Sequence, residues 1–218
     1  MKGLALLALA IAALLVWRCA PSSEDGLREG DLIFQANSGG DFVSAIEAVT
    51  RSSLEEMSFS HVGIIHFSEK NGEMSPYVLE ATTNGGVVLT PLEDFLSSSA
   101  QGGGRPLVRV RRYPDPVLAE KAVQRALSHL GKGYDYAFAP GTESLYCSEL
   151  VWECFLGEDG RPLFHSNPMT FKDSTGEVSP LWVEHYKRLG EDIPEGVPGT
   201  NPNDMFREPS LVDVKVEL

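Results

Sequence analysis

Basic residues are scarce: 18 lysines and arginines stand against 31 aspartates and glutamates, a formal charge of −13. A protein that tracks nucleic-acid phosphates needs a basic footprint, so DNA and RNA are excluded as partners. Three cysteines in 218 residues are too few for a disulfide scaffold and fit no zinc-ribbon spacing. No apolar run reaches the roughly 20 residues of a membrane-spanning helix. No repeat recurs at any period, and Gly131-Lys132-Gly133 lacks the rest of a phosphate loop. What is present, 42% hydrophobic and 22% charged residues, is the composition of an ordinary globular chain with one core.

The N-terminus reads as an address. Gly3 to Trp17 is an uninterrupted apolar run of 15 residues, behind Lys2 and ahead of Arg18 and Cys19, the layout of a signal-peptide core. As a helix it would reach about 22 Å at 1.5 Å per residue, short of the roughly 30 Å hydrocarbon layer. Cys19 resembles the lipidated cysteine of bacterial lipoproteins, although Arg18 stands where that pattern has a small residue. Residues 1–19 are expected to be a signal peptide or an N-terminal lipid or membrane anchor, 20–26 a linker, and 27–218 the folded domain. Export to the periplasm or cell surface follows. Membrane attachment would run only through the N-terminus, by a lipid on Cys19 or an uncleaved anchor; cleaved secretion is the third reading.

Along the domain, Asp31 to Phe34 is a strand candidate, and Asp41 caps a helix whose Phe42, Ala45, Ile46 and Val49 share a face. Ser60 to Phe67, Tyr77 to Ala81 and Val87 to Thr90 predict a three-stranded antiparallel meander, turned at Asn71-Gly72 and Asn84-Gly85. After the Gly102-Gly103-Gly104 loop, Leu107 to Arg111 reads as a further strand. Asp115-Pro116 opens a helix that Gly131 ends. Leu145 to Phe155 predicts another helix. Six glycines and seven prolines between Gly157 and Pro209 predict loop, apart from a short helix over Pro180 to Leu189 whose Trp182, Tyr186 and Leu189 form a core stripe. Leu211 to Val216 is an edge-strand candidate.

The first hairpin carries the most informative geometry. If it is symmetric about Lys70 and Asn71, His61 faces Glu80, their Cβ atoms about 5 Å apart on one face. A carboxylate there fixes the imidazole tautomer and raises the basicity of its other nitrogen, as a general base requires. A one-residue slip would put the two on opposite faces. Cys147 falls in the first turn of its helix, where unsatisfied N–H groups and the helix dipole favour a thiolate and could hold an oxyanion. Cys154, two turns further along, is out of disulfide reach and reads as core. Taken singly, each residue has a structural reading: His61 a satisfied strand histidine, Glu80 a solvated carboxylate, Cys147 a small hydrophobe. Their arrangement is what favours chemistry. His66 lies on the opposite strand face from His61, so the two do not chelate a metal. His129, His165 and His185 have no partner motif.

Gly30-Asp31-Leu-Ile-Phe34, Ser60-His61-Val62-Gly63-Ile64, Leu79-Glu80-Ala81, Gly133-Tyr134-Asp135-Tyr136 and Tyr146-Cys147-Ser148-Glu149-Leu150-Val151 resemble, in that order, the permuted papain-like cysteine hydrolases of the YiiX/YaeF type, within the NlpC-type superfamily. The resemblance runs from about Leu27 to the end and takes in the segment Pro194 to Asp204. It implies an α+β fold, a small antiparallel sheet or partial barrel packed against helices. It implies Cys147 as nucleophile, His61 as base and Glu80 as the orienting residue, with no metal or organic cofactor. Tyr134, Asp135 and Tyr146 are the expected pocket residues, a structural role for the Tyr-Asp pair being the alternative. The expected function is an exported hydrolase cleaving a peptide, cell-wall or lipid-linked amide through a thioester acyl-enzyme. The alternatives are a non-catalytic binding domain on the same fold, or a lipid-ester acyltransferase or lipase using the same dyad.

Overall fold

Four consecutive residues, Leu32–Gln35, are buried on both faces and form β1, the inner strand of a six-stranded sheet. This computed structural model describes residues 26–36, 41–50, 57–70, 72–99, 104–141 and 143–218. The apolar run Gly3 to Trp17 with Lys2, Arg18 and Cys19, the Gly39-Gly40 turn, Asn71 and Gly102-Gly103 lie outside them.

The chain runs α1 (Asp41–Thr50), β2 (His61–Lys70), β3 (Glu73–Thr82), β4 (Gly86–Pro91), α2 (Leu92–Ser99) and β5 (Val108–Arg112). It continues through α3 (Pro116–Ser128), α4 (Cys147–Cys154), β6 (Asn167–Pro168), α5 (Pro180–Leu189), β7 (Pro198–Gly199), α6 (Pro202–Phe206) and β8 (Val212–Val214). The large sheet has the order β4-β3-β2-β1-β5-β8, with every neighbour antiparallel. The fold is therefore α+β, as expected. Asp115 caps α3 by accepting from the N–H groups of Val117 and Leu118, with Pro116 at the first helical position.

Strand alternation splits the core in two. Val62, Ile64, Leu79 and Ala81 face α3 and α4, packing with Ala122, Val123, Leu150 and Val151. Ile33, Ile65, Val78 and Val110 face the other way, toward Leu92 and Phe95 of α2. A third cluster, Phe138, Tyr146, Phe171, Trp182 and Tyr186, joins α5 to the start of α4. Leu189 is an exception to its expected stripe, being 39% exposed; it ends α5 one residue before the left-handed cap Gly190.

The first hairpin is in a different register from the expected one. Ile64 pairs with Leu79 and Lys70 with Glu73, which centres the turn between residues 71 and 72. Gly72 adopts φ +85°. A two-residue hairpin turn of this hand needs positive φ, and glycine supplies it where lysine would be strained. The shift from the expected symmetry is two residues, an even number, so every side chain keeps its predicted face.

The Gly30-Asp31 pair is structural. Asp31 is fully buried and forms a two-point ion pair with Arg112, at 2.6 Å to Nε and 2.8 Å to Nη2. It also accepts from the Arg28 N–H at 2.8 Å. Gly30 has φ +79°, and a Cβ there would lie 2.7 Å from the Cβ of Ala119 on α3. Gly30→Ala is expected to cost about 2 kcal/mol through strain and overpacking. Chemical denaturation checks this; an unchanged midpoint would refute the close approach.

Candidate active site

His61 opens β2 at the end of the β1–β2 ladder, opposite Gln35. Its Nε2 lies 2.5 Å from Oε2 of Glu80, although the hairpin register makes the two diagonal rather than directly opposed. Glu80 is 5% exposed. Its other oxygen accepts from the Thr90 hydroxyl on β4 at 2.5 Å, so both carboxylate oxygens are held. Cys147 is close enough to the ring to act on its charge. The three expected residues are thus brought together, the sulfur from α4 and the other two from the sheet.

The electrostatics follow from this contact. Burial by itself would lower the basicity of His61, but the hydrogen bonds to Cys147 and Glu80 outweigh it and lift the imidazole from 6.5 to about 10. Burial likewise opposes ionisation of Glu80, yet the hydrogen bond and charge of His61, with Thr90, hold it below the ordinary 4.5. Cys154 is fully buried, and burial pushes its thiol up to about 12. Both Cys147 and Cys154 are free thiols.

Cys147 is the first residue of α4, preceded by Tyr146 as the extended N-cap. The helix therefore begins two residues later than expected, leaving Leu145 outside it. Leu150 is the first to close onto the Tyr146 carbonyl, at 3.0 Å, so the N–H groups of Cys147 and Ser148 have no partner within the helix.

Neighbouring loops lock this helix end. The Tyr146 N–H donates to the Glu149 carboxylate at 3.3 Å, the Tyr146 hydroxyl accepts from the Thr200 N–H at 3.1 Å, and the Thr200 hydroxyl donates to Ser148 Oγ at 3.1 Å. Asn203, fully buried, accepts from the Phe59 N–H at 2.7 Å. Its amide donates to Thr50 Oγ1 at 2.9 Å and Ser58 Oγ at 3.3 Å. That fixes the strand lead-in immediately before His61. Sequence reasoning missed Thr90, Thr200 and Asn203 as supports. Asn201-Pro202 is a cap-and-start signal that could have exposed the short helix carrying Asn203.

Of the expected pocket residues, Tyr134 and Tyr146 line a cleft beside Cys147. Asp135 does not. Its carboxylate is 4% exposed and accepts from the N–H groups of Ala137 and Ala139, both at 2.9 Å, organising the loop that carries Phe138. His66 is on the far face as expected, where its Nδ1 lies 2.6 Å from Glu29. Among the described residues, no three His, Cys, Asp or Glu side chains converge as metal ligands.

Glu149, in the first turn of α4, is 7% exposed, and burial lifts its carboxyl to about 8 against the opposing bond from Tyr146. A raised folded value means the native state holds the proton longer than the unfolded chain. Stability at this group is therefore lost as pH rises from 4.5 through about 8. Glu149→Gln removes that loss while keeping an acceptor for Tyr146. The variant is expected to melt higher than wild type at pH 9 and alike at pH 4.5; equal melting at pH 9 would sink the assignment.

An antiparallel sheet offering an imidazole–carboxylate pair to a cysteine at a helix start, with histidine preceding cysteine in the chain, defines a permuted papain-like fold. Residues 26–215 match the family described as permuted papain-like amidase enzyme, YaeF/YiiX, C92. The chain belongs to that family and is a cysteine amidase-like hydrolase. It is 30% identical over 192 residues to the uncharacterized protein YiiX of Escherichia coli K12, covering 86% of each chain. It is also similar to a crystal structure described as metalloprotein YiiX from Escherichia coli O157:H7. That likeness has a TM-score of 0.67 and 28% identity, and covers 87% of this chain and 97% of the other.

Proposed function

We propose that this protein is an exported amidase in which Cys147 is the nucleophile, His61 the base and Glu80 the residue that orients the ring. The observation that carries the reading is the chain of bonds His61–Glu80–Thr90, with Cys147 close enough to act on the charge of the ring. His61, raised to about 10, already holds the proton as imidazolium when the sulfur attacks the amide carbonyl carbon. The oxyanion forms beside the N–H groups of Cys147 and Ser148. The imidazolium then protonates the leaving amine, giving a thioester, and water activated by the same ring releases the acid and the thiol. Tyr134 and Tyr146 border the substrate.

Export rests on the apolar run behind Lys2, with Cys19 the position for a lipid anchor. Peptide, cell-wall and lipid-linked amides are the substrate classes this reading admits. The deciding experiment is amide hydrolysis by wild type against a Cys147→Ala blank. Turnover that survives the substitution overturns the mechanism.

A further inference from the structure

A cleft of about 150 Å³ opens beside Cys147. Its walls include Ile46 and Val49 of α1, Phe138 from the loop that Asp135 organises, and Met169, Phe171 and Trp182. Met169 is held in place by its N–H bonding to the Val197 carbonyl at 2.9 Å, an extension of the β6–β7 pair. Among the described residues lining the cleft, no lysine or arginine occurs, and Asp204 is the only carboxylate. Asp204 accepts from Asn167 at 3.0 Å and from Asn201 at 2.9 Å, and is paired with Arg207.

We propose that this cleft takes an uncharged, apolar group attached at the carbonyl that Cys147 attacks: one aromatic ring, or a branched aliphatic group of about six carbons. The inference rests on Cys147 being the nucleophile and adds the chemical class of the group recognised. Size supports it, because a cavity of about 150 Å³ holds one benzene-sized molecule, and the aromatic and aliphatic walls offer it more surface than the neutral hydroxyls and amides of Thr50, Ser60, Asn167 and Thr170 between them. Charge supports it too. A carboxylate entering would lose its hydration with no cation to meet it and would approach Asp204 in a chain of net charge −13. Acidic peptide side chains and succinyl-like groups are therefore disfavoured.

The test measures modification of Cys147 rather than turnover. Three chloroacetamides of equal reactivity toward glutathione carry a 2-phenylethyl, a methyl or a 2-carboxyethyl group on nitrogen. In each reaction the Cys147 sulfur forms a bond to the methylene carbon, chloride leaves, and the thiol proton stays on His61. Peptide mass spectrometry of the whole chain, with Cys147→Ala as blank, gives the rate at this residue. The phenylethyl probe is expected to react at least ten times faster than the carboxyethyl probe, a discrimination in the range of apolar pockets. Val49→Trp, which fills the cleft, is expected to reduce that ratio to near one. Equal rates in wild type, or a faster carboxyethyl probe, overturn the cleft assignment and leave the nucleophile standing. A Cys147 that none of the three modifies overturns the nucleophile and the cleft assignment together.

Discussion

Cys147→Ala is expected to abolish amide hydrolysis, with a loss of at least about 10⁴-fold in kcat, since removing a covalent nucleophile disables every later step. The fold should survive. Cys147 is 6% exposed at the first position of α4, and deleting one sulfur there leaves a small void worth about 1 kcal/mol. The loop holding α4 bonds through Thr200 to Tyr146 and Ser148 rather than to the thiol. His61 keeps its 2.5 Å bond to Glu80 without the sulfur. Steady-state hydrolysis with a calorimetric melt checks both halves. A variant that unfolds would leave the rate uninterpretable, so Cys147→Ser, closer in shape and far less nucleophilic, is measured beside it; hydrolysis retained by either folded variant rejects the mechanism.

Glu80→Gln should lower kcat by about 10²- to 10⁴-fold while leaving KM little changed, because the carboxylate steadies the imidazolium that appears as the thiol ionises. Glutamine can still accept from Thr90 and occupies the same volume, so the loss reports charge rather than packing. The pH dependence of stability separates these further. Glu80 titrates below 4.5 in the folded chain, so its contribution is complete above 4.5 and is lost as pH falls through the lowered value. His61 titrates near 10, so its contribution is complete below 6.5 and fades as pH rises through about 10. The melting-temperature gap between wild type and Glu80→Gln should therefore be widest between pH 4.5 and 6.5 and narrow on either side. A gap constant from pH 3 to 10, or an unchanged kcat, would show that the carboxylate serves packing alone.

How much of this was legible in the sequence varies element by element. Helix α5 was readable to the residue because Ser179, Pro180 and Gly190 mark its start and stop chemically. Helix α2 was not: three of its eight residues are serine, and it forms because Leu92 and Phe95 bury against strands distant in the chain. Its signal is Ile33, Ile65 and Val78 on the facing strands. The two-residue strands β6 and β7 carry no period at all, yet they hold the cleft wall at Met169. The hairpin register missed by two because turn chemistry at Gly72 outweighed the symmetric placement, and the face assignment survived only because the shift was even.

The sequence by itself determined the types of group available, the faces on which His61 and Glu80 lie, the helix start that presents Cys147, and a charge balance that turns phosphates away. Those are local matters of period two, capping and composition. Only the tertiary structure decided that the sulfur and the imidazole meet, that Thr90 takes the second oxygen of Glu80, that Asp135 turns to backbone N–H groups, and that Thr200 and Asn203 hold the two halves in place. Contacts between distant segments are set by packing two faces of one sheet against different helices, and no spacing along a chain encodes which helix end reaches which strand end.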